Sequence, residues 1–320
     1  MKKLGIAAAV IACVGIAGAA WIWQGHGAYG FGVITHTGGN YWTEVAKDDP
    51  SLDPSIRAAI RPDADKAAAG AFAWKAVAPG YEVTEIPVML DGAEVDRLIL
   101  SRIDPAYYRF TAHNAPEGRN IGEWKKALPR AALIVNGSYF DKKGLPDTPF
   151  VSDGQALGPQ TYDARAGAFV ANDAGAAVID LQHQAWRDAL KGSADAMVSY
   201  PMLVGEDGQT RVTVASNWLA NRTFVAEDGT GHIIVGSTRA GFFSLGRLAA
   251  FLKAAPLGIR TALNLDGGPI ACRGERVGGF RRDVHATVEA QPHDTTVGVL
   301  RWPLDEDWGM PIVLAVEPKS

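Results

Sequence analysis

The sequence predicts an α+β protein, a strand-rich sheet core with a few packed helices, preceded by an N-terminal membrane-spanning or signal helix. Three observations carry this. Short apolar runs separated by turn residues recur from Tyr81 onward. Glycine is abundant, 36 of 320 residues, or about 11% against a usual ~7%, which favours many turns. Helical periodicity is confined to a few brief segments.

The first element lies at the amino terminus. After Met1-Lys2-Lys3, the run Leu4 to Trp23 has no charged residue, and the next charge is Glu44. About 20 apolar residues suffice to cross a bilayer as a helix. Lys2 and Lys3 place the near end in the cytoplasm, and Trp21 and Trp23 stand where an interfacial belt forms. Three readings stay open: a retained anchor, a signal peptide cleaved after Ala17-Gly18-Ala19, and a lipid-attachment site at Val10-Ile11-Ala12-Cys13. The first two expect an inner-membrane anchored protein facing the periplasm, or one exported to it.

Residues 24–75 read as a glycine-rich tether, with a short helix opened by Asp53-Pro54-Ser55 and stopped before Pro62. The main domain is expected over 76–304 and a C-terminal tail over 305–320. Tyr81 to Leu90 and Ala93 to Ile103 flank Asp91-Gly92, a two-residue hairpin turn of the kind that needs positive φ. Tyr107 to Ala112, Ala132 to Val135, Ala166 to Ala171, Ala176 to Leu181, Arg222 to Glu227, His232 to Gly236 and Thr295 to Trp302 read as further strands. Helices are expected at Ile121 to Leu128, at Trp186 to Leu190 and through Leu245, Leu248, Phe251 and Leu252. Ser244 caps the last of these and Pro256 ends it.

Composition excludes some functions. Lys and Arg number 31 against 35 Asp and Glu, a net charge of −4, and no basic block is long enough to track a phosphate backbone, so no nucleic-acid partner is expected. Two cysteines build neither a disulfide framework nor a zinc thiolate site.

Polar groups that a turn does not need mark the candidate site. In Asn264-Leu-Asp-Gly-Gly268, strand alternation puts Leu263 and Leu265 on one face and Asn264 and Asp266 on the other, with Gly267 and Gly268 keeping bulk away. Leu133-Ile-Val runs into Asn136-Gly-Ser-Tyr-Phe-Asp141, where Asn136 offers an amide and Gly137 permits close approach. Ser152-Asp153-Gly154 is a third polar strand end. Asn221-Arg222-Thr223 sets a guanidinium ahead of an apolar strand.

Taken together and in this order, these four motifs resemble the phosphodiester glycosidase family, over about Pro79 to Trp302. The resemblance implies hydrolysis of a sugar 1-phosphodiester. Such a reaction passes through an oxocarbenium-like transition state and needs a carboxylate near the anomeric carbon and cationic or amide donors on the phosphate. Asp266 is the first choice for the carboxylate, with Asp153 or Asp141 as partner. Arg222 is the phosphate clamp, because its planar fork pairs with two oxygens. Asn136, Gly137, Ser138, Thr223, Asn264, Gly267, Gly268 and His293 are the expected substrate contacts, and Trp218 a candidate sugar platform. The same acids would also suit a divalent cation such as calcium.

Two departures from the family pattern bear on substrate. Pro269 and Ile270 stand where the family has glycine and then Ser or Thr, and Ser138 replaces a small residue. Pro269 and Ile270 keep open a second reading, an envelope protein that binds a glycan without cleaving it; a third is a structural partner in polysaccharide export, anchored by the first helix.

Overall fold

The computed structural model describes residues 10–21, 42–50, 52–163, 166–212, 216–286, 288–300 and 308–319. Strand makes up 47% of the described residues, and the helices are short pieces laid against sheets. The central layer is an eight-stranded sheet. Its order is Met202–Val204, Ile259–Gly267, Arg222–Asp228, Ile233–Thr238, Ala93–Ile103, Tyr81–Leu90 and Ala68–Ala69, with Lys75–Ala78 also paired to Tyr81–Leu90. Alternation gives each strand two buried faces. Phe224 and Ala226 enter one core and Val225 enters the other.

The first core lies between this sheet, the helix Leu245–Ala254 and a four-stranded sheet of Trp42–Ala46, Thr296–Leu300, Glu289–Pro292 and Leu219–Ala220. Leu248, Phe251 and Leu252 bury one side of that helix, and Ser244 accepts a capping hydrogen bond from the Arg247 amide at 3.3 Å. The second core joins the opposite face to two five-stranded sheets. One contains Leu133–Asn136, Met310–Pro318 and Tyr108–Arg119 side by side. The other contains Gly167–Asn172, Asp195–Ser199 and Phe150–Ser152.

The hairpin at Asp91-Gly92 is as expected. Leu90 pairs with Ala93, and both turn residues have positive φ. The helix at Ile121–Ala127 carries a reciprocal capping box, Asn120 with Glu123.

Two domain boundaries need correction. The stretch expected as a tether is, from Trp42 on, part of the fold. Trp42–Ala46 pairs along its length with Thr296–Leu300, and Leu52, Ile56, Ala59 and Ala64 are buried in the first core. The stretch expected as a tail holds Met310–Pro318, which is flanked on both sides by strands. Its continuous run Ile312-Val-Leu-Ala-Val has no alternation because both of its faces are covered.

At the amino terminus, residues 10–21 are helical, with Cys13 and the apolar Val10, Ile11, Val14, Ile16 and Trp21 exposed. Among the described residues no helix is long and apolar enough to cross a membrane. The remainder of the Leu4 to Trp23 run lies outside the described residues.

Deleting residues 1–75 is therefore expected to abolish cooperative unfolding. Leu52 and Ile56 alone contribute roughly 1.5–3 kcal/mol each, against a total stability of about 5–15 kcal/mol. A thermal melt of the truncated chain checks this, and a wild-type transition would show that the segment only decorates the surface.

Candidate active site

The site forms where four strand ends meet: the end of Ile259–Gly267, the start of Arg222–Asp228, the end of Leu133–Asn136 and the start of Glu289–Pro292. Arg222 stands opposite Gly267 and Phe224 opposite Asn264, so Thr223 alone faces both Leu265 and Asp266. This is a β-bulge, which bends the strand and re-aims the side chains that follow. Leu263 and Leu265 stay in the second core, while Asn264 and Asp266 both come beside Tyr139.

Asn136 turns out to be a brace. Its Nδ2 donates to the Asp266 carbonyl at 2.7 Å and its Oδ1 accepts from the Thr223 hydroxyl at 2.6 Å. The Asp266 amide donates to the Gly137 carbonyl at 3.0 Å, tying two sheets together. A Cβ on Gly137 would stand 2.5 Å from Ile312 Cγ2, so a side chain there would force the strands apart.

Asp266 is half-buried, and its Oδ1 accepts from the Gly267 amide at 2.8 Å. Burial pushes its pKa up to about 7. The Gly267 amide and Arg222 pull it down, and the neighbouring Glu289 pushes it up. Glu289 is raised in the same direction by its own burial, while Trp218 and Arg222 oppose that shift. The Trp218 indole N–H lies beside this carboxylate without a hydrogen bond of ordinary geometry among the described residues.

Arg222 is 7% exposed. Its Nε donates to the Phe243 carbonyl at 3.1 Å and Nη2 to the Trp218 carbonyl at 2.7 Å, which fixes the plane of the guanidinium. Nη1 has no hydrogen-bond partner among the described residues. A Cβ on Gly267 would come within 3.5 Å of Nη1 and 2.9 Å of the Asn221 carbonyl, so glycine keeps this nitrogen uncovered. Burial lowers the pKa of Arg222, while Tyr139, Glu289 and Asp266 hold it up. Gly268, at φ +69, packs directly on Glu289, where a Cβ would meet Oε2 at 2.8 Å.

Tyr139 and Tyr200 form a wall, stacked at 4.2 Å and 18°. The Tyr139 hydroxyl donates to the Tyr200 carbonyl at 2.9 Å, and Asn264 Nδ2 donates to that hydroxyl at 2.9 Å and to the same carbonyl at 3.1 Å. Burial, and after it the Asp266 charge, holds the Tyr139 phenol protonated. Asn264 Oδ1 and Ser138 Oγ are buried without a partner among the described residues. Unpaired buried polar atoms are costly and mark places a ligand or water satisfies.

The structure thus brings Asp266, Arg222, Asn264, Asn136, Gly137, Thr223, Gly267 and Gly268 together, and three other candidates from the sequence do not join them. Asp153 occupies an exposed hairpin turn with Gly154, both at positive φ, and its amide lies 3.4 Å from Asp195 Oδ1 at the start of Asp195–Ser199. Tyr200 follows the other end of that strand, so five residues at about 3.3 Å each put Asp153 roughly 16 Å from the tyrosine wall. Asp141 accepts from the Lys143 and Leu145 amides at 2.8 and 3.0 Å and folds its own loop. His293 sits on the turn after Glu289–Pro292, with Nε2 3.5 Å from Glu44. Of the three, Asp141 serves its own loop, Asp153 stands in an exposed turn and His293 faces Glu44, which is why a polar strand end misleads when its neighbours in space are unknown.

Glu289, Tyr139 and Tyr200 were not singled out from sequence. Glu289 sits between the buried Val288 and Ala290 with no motif around it. Among the described residues no three His, Cys, Asp or Glu side chains gather to hold a metal ion, and Asp141, Asp153 and Asp266 do not converge as a calcium site would require. A cavity of about 740 Å³ lies elsewhere, along the helix Leu245–Ala254. Its Arg247 is tied to Asp65 and to two carbonyls.

A half-buried carboxyl pair stands beside a fixed guanidinium, and residues 129–271 match the phosphodiester glycosidase family. The chain's likeness to the phosphodiester glycosidase family thus holds over that segment. Asp266 and Arg222 fall inside the matched segment, and Glu289 lies beyond it. In structure, the chain is similar to the catalytic domain of zebrafish N-acetylglucosamine-1-phosphodiester α-N-acetylglucosaminidase, auto-inhibited by its pro-peptide. That match has a TM-score of 0.56 and 16% identity, over 78% of this chain and 89% of the other. It is also similar to a hypothetical protein from Synechocystis, with a TM-score of 0.51 and 14% identity, over 78% of this chain and 64% of that one. At these identities the likeness is one of fold. No curated protein matches the sequence significantly. Pro269 and Ile270, which depart from the family pattern, pack inward as a short 3₁₀ turn, so neither presents a side-chain donor to the site.

Proposed function

We propose that this protein hydrolyses a sugar 1-phosphodiester in an envelope glycan or glycoconjugate, outside the cytoplasm. The observation that carries the reading is the grouping of Asp266, Glu289 and Arg222 at one strand junction of a chain that is similar to the phosphodiester glycosidase family over residues 129–271. The leaving phosphate is stable as an anion and needs no proton from the protein. Arg222 Nη1 meets its charge. The demand then falls on the sugar side, where Asp266, with a pKa near neutrality, acts as base toward water or as nucleophile at the anomeric carbon. Glu289 supplies the second carboxyl.

The test is turnover of α- and β-sugar 1-phosphodiesters by the purified full chain, with and without Ca²⁺. Phosphomonoester release is expected, with Arg222→Lys about 10–100-fold slower because the fork is lost. Glycan binding with no turnover of any substrate would instead favour a non-catalytic binding protein, the role to which the inward-packed Pro269 and Ile270 lend support. A reporter joined after Ser320 that is active only in the cytoplasm would refute the location.

A further inference from the structure

The outer face of the four-stranded sheet runs straight on from the carboxyl pair. Ala290 points into the first core, so Glu289 and Gln291 point outward. In register across the sheet, Glu289 stands beside Leu300 and then Trp42, and Gln291 beside Gly298 and then Glu44. Ala220 pairs with Glu289 at the other edge, which puts Trp218 on the same outer face.

The Trp42 and Trp218 rings meet there at 5.6 Å and 86°. Two indole planes at a right angle make a corner rather than a closed stack, and both side chains remain partly exposed. Gly298 makes room for it, since a Cβ there would stand 3.1 Å from Glu44 Oε1 and 3.5 Å from Trp42 Cε3. Hydrogen-bonding groups surround the corner. Glu44 accepts from Thr296 Oγ1 at 2.7 Å and faces His293, while the Gln291 amide has no partner among the described residues. Two strand spacings of about 4.8 Å set the Trp42 backbone roughly 10 Å from that of Glu289.

We propose that this corner is a second sugar subsite, holding an uncharged ring of the substrate next to the ring on which Asp266 acts. The substrate is then an oligosaccharide or a longer glycan rather than a single sugar. Indole faces pack against the C–H face of a pyranose, and carboxylate and amide groups at the rim take its hydroxyls. The carboxylates of Glu44 and Glu289 disfavour an anionic ring. The inference rests on the phosphodiester glycosidase reading for its substrate, but not for its test.

Chito- and cello-oligosaccharides of one to six units, titrated calorimetrically into the full chain, supply that test. Affinity is expected to rise at least tenfold from one unit to three for one series, to lose that increment in Trp42→Ala, and to regain part of it in Trp42→Phe. Turnover of a single-sugar phosphodiester should be unchanged in these variants. Should Trp42→Ala not fold, Glu44→Gln and Gln291→Ala are expected to cut trisaccharide affinity several-fold. No length dependence in either series, or no binding at all, would overturn the subsite. A length effect without turnover would leave the subsite standing and remove the hydrolase, while turnover without a length effect would do the reverse.

Discussion

Asp266→Asn is expected to lower turnover of a sugar 1-phosphodiester by about 10²-fold or more, yet to raise stability above pH 7. The Asp266 pKa is about 7 in the folded chain and near 3.9 when unfolded. Between those values the native state binds a proton that the unfolded state has released, so stability falls as pH rises through the window. The penalty is complete above about pH 7 and absent below about pH 4. Asparagine never ionises and escapes it. Melts at pH 4 and pH 8 should therefore show the variant gaining on wild type only at the higher pH, the sign of a group kept for function at a cost in stability. For wild type, a carboxylate acting as base makes kcat/KM rise with pH through about 7, in a titration shared with Glu289. Undiminished turnover by Asp266→Asn would assign the chemistry to another group.

The second large effect lies away from the site. Arg273 and Glu275 are both fully buried between the central sheet and the sheet that holds Leu133–Asn136. Arg273 Nη2 donates to Glu275 Oε1 at 2.9 Å, and Tyr81, Ser101 and Arg282 complete the ring of donors around that carboxylate. Arg273 and Arg282 hold the Glu275 pKa down to about 2 against its burial. Glu275→Ala would strand a buried guanidinium, so a loss of about 3–5 kcal/mol is expected in urea unfolding at pH 7. Replacing both partners, Arg273→Met with Glu275→Leu, should cost far less, because no unpaired charge remains. Because the folded pKa is depressed, the stabilisation is present above about pH 4 and lost as pH falls toward 2. Equal destabilisation by the single and double variants would mean that packing, not charge, decides this region.

Much of the site was legible because its residues lie at the ends of apolar runs. Leu263 and Leu265 had to be buried, which fixed where Asp266 would emerge, and Arg222 preceded a strand apolar enough to be central. Asp153 and Asp141 had the same local signature and different surroundings. Asp141, whose carboxylate accepts backbone amides of its own loop, reads like a catalytic residue until its neighbours in space are known. Glu289 is the converse case. Nothing near it in sequence is unusual, and it matters only because its strand delivers it to Gly268 and Arg222, 21 and 67 positions away.

By itself the sequence determined the strand-rich class, the hairpin at Asp91-Gly92 and the Ser244-capped helix, while the expectation that Asp266 and Arg222 share a site came from the family resemblance of their motifs. All of these rest on local periodicity, on turn geometry or on motifs that keep their order along the chain. The tertiary structure alone decided that residues 42–50, 52–69 and 310–318 belong to the folded body, since an edge strand and a strand covered on both faces differ from tether and tail only in what packs against them. It also decided which acid stands next to Asp266. Carboxyl groups shift one another's ionisation through space, and that distance is set by strand register, which no stretch of sequence carries on its own.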